Sequence, residues 1–141
     1  MKAPVLLALL VALAFGLAQG PGVTARDAQA IRAVIEGQIA AFKAGDAERA
    51  FAYASPGIRE RFGDAQNFVR MVRESYAPLY RPLEVEFLRL TRVERTVVQV
   101  LGVTALDGQK YVAYYFMQKQ PSGEWRISGV VLEPAAPTDT A

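Results

Sequence analysis

The sequence predicts an α+β domain: three N-terminal helices packed on a curved four-stranded antiparallel sheet. Three observations carry this. Between Asp27 and Tyr76 the apolar residues recur at helical spacing, and each run opens on a capping residue. After Pro82 the spacing changes to two, the period of a strand. The strand-like segments are joined by turns too short for parallel neighbours, and helices segregated from strands mark α+β rather than alternating α/β.

Each element has its own signal. Asp27 is placed as the cap of a first helix running to about Ala44, with Ile31, Val34, Ile35, Ile39 and Phe42 on one stripe and Gly45 as its stop. Asp46 caps a second helix through AERAFAYA. Ser55 and Pro56 start a short helical turn that Gly63 ends. Asp64 caps a third long helix with Phe68, Met71, Val72 and Tyr76 on one side. The octapeptide SYAPLYRP, from Ser75 to Pro82, reads as a joint. Pro78 has no N–H and pushes Ala77 out of helical geometry, and Pro82 does the same to Arg81, so the chain is expected to extend after Tyr76.

Four strands follow: LEVEFLRLTR, TVVQVLGVTAL, QKYVAYYFMQKQ and WRISGVVLE. Asp107-Gly108 and PSGE are the turns before the third and fourth. In the first strand Leu83, Val85 and Phe87 share one face, yet Leu88 and Leu90 fall on the face of Glu84 and Glu86. That slip in parity predicts a bulge or a strand buried on both sides. The third strand is apolar on both faces. One meets the helices; the other needs cover, for which a second copy in a homodimer is the simplest candidate and a solvent-facing row of tyrosines the alternative.

A chain of 141 residues with 52% apolar residues holds one domain with a real core. The opening MKAPVLLALLVALAFGLAQG has one lysine, an apolar run from Val5 to Phe15, then small residues, the form of a secretory signal. That run is about half of the ~20 residues a membrane span needs. Residues 1–25 are read as the signal, cleaved after Ala18 or Ala25, residues 26–134 as the domain, and residues 135–141 as a disordered tail. The product is expected to be periplasmic or secreted, with no stable membrane span.

Composition removes whole classes of chemistry. With no cysteine and no histidine there is no disulfide, thiol nucleophile or Cys/His zinc site. No cofactor and no metal are expected. A net charge of +2 with arginines scattered among glutamates gives no basic run, so nucleic acid is not an expected partner.

The segments AFKAGDAERAFAYASPGIRERFGDAQNFVRMVRESYAPLYRP and DGQKYVAYYFMQKQPSGEWRISGVVL resemble an exported bacterial family, the domain of unknown function numbered four-eight-six-four. The resemblance covers roughly residues 28–133. It implies a cone-shaped, cystatin-like fold of the ketosteroid-isomerase-like or nuclear-transport-factor-two-like superfamily, in which a curved sheet wraps a helix around a pocket. Enzymes and binding modules share that fold, so the site must decide.

No catalytic constellation is recognisable. The five aspartates read as caps, a turn and the tail: Asp27, Asp46, Asp64, Asp107 and Asp139. Glu84 and Glu86 share a strand face at roughly 7 Å, the one pair resembling an acid and a base. Gln38 sits on the apolar stripe of the first helix, where a buried amide needs partners. With Tyr53, Tyr76, Tyr80, Tyr115 and Trp125 it makes the candidate ligand-binding set for a small apolar molecule. The favoured reading is therefore a non-catalytic domain that binds a small ligand or a partner. The alternatives are a proton-transfer enzyme, an isomerase or dehydratase using Tyr53, Glu84 or Glu86, and a structural envelope docking module.

Overall fold

The computed structural model describes residues 22–136. The leader through residue 21, and Asp139 in the tail, lie outside the described residues. Five helices precede the sheet: α1 (Ala25–Ala44), α2 (Ala47–Ala52), α3 (Pro56–Phe62), α4 (Ala65–Ser75) and α5 (Ala77–Tyr80). The strands are β1 (Glu84–Val93), β2 (Thr96–Thr104), β3 (Lys110–Lys119) and β4 (Trp125–Pro134), paired antiparallel in the order β1-β2-β3-β4 as an open sheet.

The start of α1 differs from the sequence reading. Thr24, not Asp27, is the N-cap; its hydroxyl accepts from the Asp27 N–H, and the Asp27 carboxylate accepts from the Thr24 N–H. Asp27 thus closes a capping box from the third helical position. Asp46, Ser55 and Asp64 cap α2, α3 and α4 as their positions predict. The three expected helices become five because the turn after Ser55 is a complete helix and the joint holds another. Helix α4 does break at Tyr76, whose φ of −134° leaves the helical region. The chain does not extend there: Ala77 and Pro78 open the one-turn helix α5. In a first turn no helical partner is waiting for a proline N–H, so nothing is lost.

The parity slip in β1 is a bulge. Phe87 pairs with Leu101 and Arg89 with Val100, leaving Leu88 as the extra residue. Leu88 stays on the outer face and Leu90 returns to the inner one, where it packs on the core. Buried Gln99 secures the bulge, its amide donating to the Arg89 carbonyl at 3.0 Å. A second bulge interrupts the β3–β4 ladder, where Phe116 pairs with Gly129 and Met117 with Ile127. The odd residue, Ser128, donates from its hydroxyl to the Phe116 carbonyl. Both bulges bend the sheet.

The apolar side chains form two cores. One packs Ile31, Ile35 and Ile39 of α1 on Leu101, Ala113 and Tyr115 of the sheet. The other gathers Phe42 and Phe51 with Phe68 and Val72 among the helices. Tyr76 packs against both.

Candidate functional site

The two cores do not close on each other completely. A cavity of about 390 Å³ lies on their seam. Phe42, Phe68 and Val72 of the helical core line it on one side, and Leu79, Tyr115 and Ile127 of the sheet core on the other. The β4 bulge shapes its wall, because Ile127, Ser128, Gly129 and Val130 all line it.

The candidate ligand-binding residues divide. Gln38, Tyr76 and Tyr115 line the cavity together. Gln38 is 4% exposed and its amide nitrogen donates to the Ala50 carbonyl at 3.1 Å, tying α1 to α2. No protein group among the described residues donates to its Oε1. Tyr76 spends its hydroxyl on the Val130 carbonyl at 3.3 Å. Tyr115 is 1% exposed, and burial alone pushes its phenol well above the usual tyrosine range. Its hydroxyl has no partner among the described residues, so two buried polar atoms on the lining are unsatisfied by protein.

Tyr53, Tyr80 and Trp125 lie elsewhere. Tyr53 and Ser55 clamp the edge of β4, with the Ile127 N–H donating to the Tyr53 carbonyl and the Ser55 N–H to the Ile127 carbonyl. The Tyr53 ring then lies against α1 at Gly37, in space that a Cβ there would occupy. Tyr80 packs on Phe42 with ring centroids 5.6 Å apart, under the guanidinium of Arg81. It borders a separate cleft of about 330 Å³ with Arg70 and Arg73. Trp125 is buried at the far end of the sheet core, beside the start of α1.

There Trp125 meets what sequence reasoning missed. Asp27 is buried, and its carboxylate accepts from the Trp125 indole N–H at 3.1 Å and pairs with Lys119 Nζ at 3.2 Å. The Thr24 backbone N–H, foremost, then Trp125, Lys119 and the Thr24 hydroxyl outweigh burial and hold the carboxyl at about 2. An acid so well satisfied is a structural anchor and a poor proton acceptor near neutral pH. It is not among the cavity's lining residues.

The other polar residues take structural positions. Glu84 and Glu86 are exposed on the outer face of β1. Asp107 accepts from the Gln109 N–H in its turn. Arg126 pairs with Glu124 at 2.6 Å, and Arg81 donates to the Phe42 carbonyl at the end of α1. Among the described residues no cluster of three acidic side chains could hold a metal ion, and no helix is long and apolar enough to cross a membrane.

Fold and site define an α+β domain with an apolar, helix-roofed cavity and no ionised acid lining it. The chain belongs to the domain of unknown function family DUF4864, whose pattern matches residues 24–140. No curated protein and no solved structure matches it.

Proposed function

We propose that the domain binds a small, mostly apolar molecule in the cavity between its two cores and does no chemistry on it. One observation carries the reading: the cavity is walled by aromatic and aliphatic side chains, and Arg61 is the one ionised residue on its lining. The proton-transfer alternative draws on a carboxylate base within reach of the reacting group, and each candidate acid lies elsewhere. Glu84 and Glu86 face outward, Tyr53 is held against Gly37, and Asp27 is saturated with donors at the other end of the core. A cavity of this size, apolar with a few polar tips, has the character of a small-molecule site.

Native mass spectrometry of the protein purified from its own cells tests this. The expected spectrum carries a retained small molecule, absent in a Met71→Trp variant whose indole fills the cavity from α4. Identical ligand-free spectra for both proteins, with no uptake of added apolar compounds, would sink the reading.

The same reading extends to the setting. The helices stacked over one face of a twice-bulged meander support a place in the cone-shaped, ketosteroid-isomerase-like superfamily. The apolar run before Phe15 supports export to the periplasm or beyond. Cleavage after Ala18 then fits better than cleavage after Ala25, which would remove Thr24 and with it the cap of α1.

The outer sheet face favours a second property, self-association. Leu88 and Val131 are 46% and 41% exposed there, flanking Tyr114 and Phe116. Glu86 and Glu133 lie at one end of the face, Arg89 and Arg126 towards the other, so a two-fold copy would set unlike charges together. Sedimentation is expected to show a dimer that Leu88→Lys dissociates; a wild-type monomer at high concentration would rule it out.

A further inference from the structure

We infer that the cavity's ligand is a small aromatic monocarboxylate carrying a hydroxyl at the end away from its carboxylate, an assignment that rests on the binding reading above. Three features of the lining specify it.

The first is a complementary pair of unsatisfied atoms. The Tyr115 hydroxyl is a donor with nothing to donate to, and Gln38 Oε1 is an acceptor with nothing to accept, in side chains 1% and 4% exposed. Leaving such groups unpaired costs about 1–3 kcal/mol each. A ligand hydroxyl suits either atom, since it donates and accepts. A ketone or ether oxygen offers Gln38 Oε1 no donor, and an ammonium offers the Tyr115 proton no acceptor.

The second is charge. Arg61 lines the cavity with no ionised acid beside it there. Its guanidinium lies 5.6 Å from the Phe62 ring and pairs with no carboxylate among the described residues. Arg61 is exposed, whereas Gln38 and Tyr115 are buried, so the anionic end belongs at the mouth and the hydroxyl inside. A carboxylate is the planar partner a guanidinium binds with two hydrogen bonds.

The third is size and character. The volume of about 390 Å³ lies near the small end of the range of small-molecule pockets, so a single-ring ligand suits it. Phe42 and Phe68 supply ring faces and Met71 a thioether, a lining suited to an aromatic body.

Titration calorimetry with three probes tests the assignment: 3-(4-hydroxyphenyl)propionate, 3-phenylpropionate, and the methyl ester of the first. The hydroxy acid is expected to bind about tenfold more tightly than either analogue. Tyr115→Phe, which removes the donor and leaves Gln38 Oε1 in place, should cut the preference for the hydroxyl severalfold. Arg61→Gln should erase the preference for acid over ester. If the three probes bind within twofold of one another, or the hydroxyl preference is undiminished in Tyr115→Phe, the ligand class is overturned while the cavity reading stands. If none binds, and the protein from its own cells carries no ligand, both fall.

Discussion

Replacing Asp27 by alanine is expected to lower stability by about 3 kcal/mol, roughly 10–15 °C in the melting temperature. The side chain does three things at once. It accepts from the Thr24 N–H to complete the capping box, a device worth about 1 kcal/mol. It satisfies the indole N–H of Trp125, which is 5% exposed and would otherwise be stranded. It also pairs with Lys119 on β3, so it ties the first turn of the first helix to two strands some 90–100 residues later in the chain. Trp125→Phe should cost less, because the Asp27 carboxylate keeps its Thr24 and Lys119 partners when the indole N–H is gone. The double variant should lose less than the sum of the two, since both break one interaction. Chemical denaturation of the four proteins measures this directly; additive losses would show that the carboxylate and the indole do not cooperate.

The same carboxylate sets an acid limit on stability. Its folded value, about 2, lies below its unassociated value of 3.8. An acid depressed in the folded state stabilises it above the unfolded value and ceases to as pH falls through the folded one. The contribution is complete above about pH 5 and drains away between about pH 4 and 2. Lys119 is 49% exposed, so water screens part of the attraction and the pH-dependent share is ~1–2 kcal/mol. The difference between wild type and Asp27→Ala should therefore narrow on acidification. A constant gap from pH 6 to pH 2.5 would mean that the ionised form is not what stabilises.

Asp27 also shows where sequence reading stops. An aspartate before an apolar-periodic run is a good cap, and three other aspartates or serines obey that rule at α2, α3 and α4. Its real role depends on Trp125 and Lys119, and no local pattern reports contacts at such separation. The bulge in β1 lies at the other extreme. Alternation has a period of two, so one extra residue shifts every later side chain to the wrong face, and the shift at Leu88 is visible in the letters. The joint at Pro78 falls between. The break at Tyr76 was legible, since proline forbids a helical interior; that a new first turn begins at once depends on Leu79 finding a buried place against the sheet core. Among the site residues, Gln38 was legible as a polar residue on an apolar stripe. Tyr53 was not, because its position is set by the missing side chain at Gly37, on a helix that does not include it. The cavity itself has no sequence signature. It arises from two cores that each pack well and meet along a seam.

That seam makes Phe68→Ala the most informative core substitution. Phe68 is 4% exposed on α4, and three rings surround it: Phe51 at 5.4 Å, Phe62 at 6.0 Å and Phe42 at 6.2 Å between centroids. Truncating a buried phenylalanine costs about 3–5 kcal/mol, of which the ring contacts are part. The vacated space here opens directly into the cavity, since Phe68 also lines it. The helices can relax only a little, because Gln38 ties α1 to α2 and the Tyr53–Ser55 segment is clamped to β4. The void should persist as added cavity volume. Two results are expected together: a large loss of stability, and a shift of binding preference towards a bulkier aromatic acid, which restores part of the stability when present in excess. Leu101→Ala gives the contrast. Leu101 is fully buried in the sheet core and does not line the cavity, so its truncation should destabilise by about 3–4 kcal/mol with no change in ligand preference. Equal effects of the two variants on ligand size would mean that the seam between the cores is not where the ligand sits.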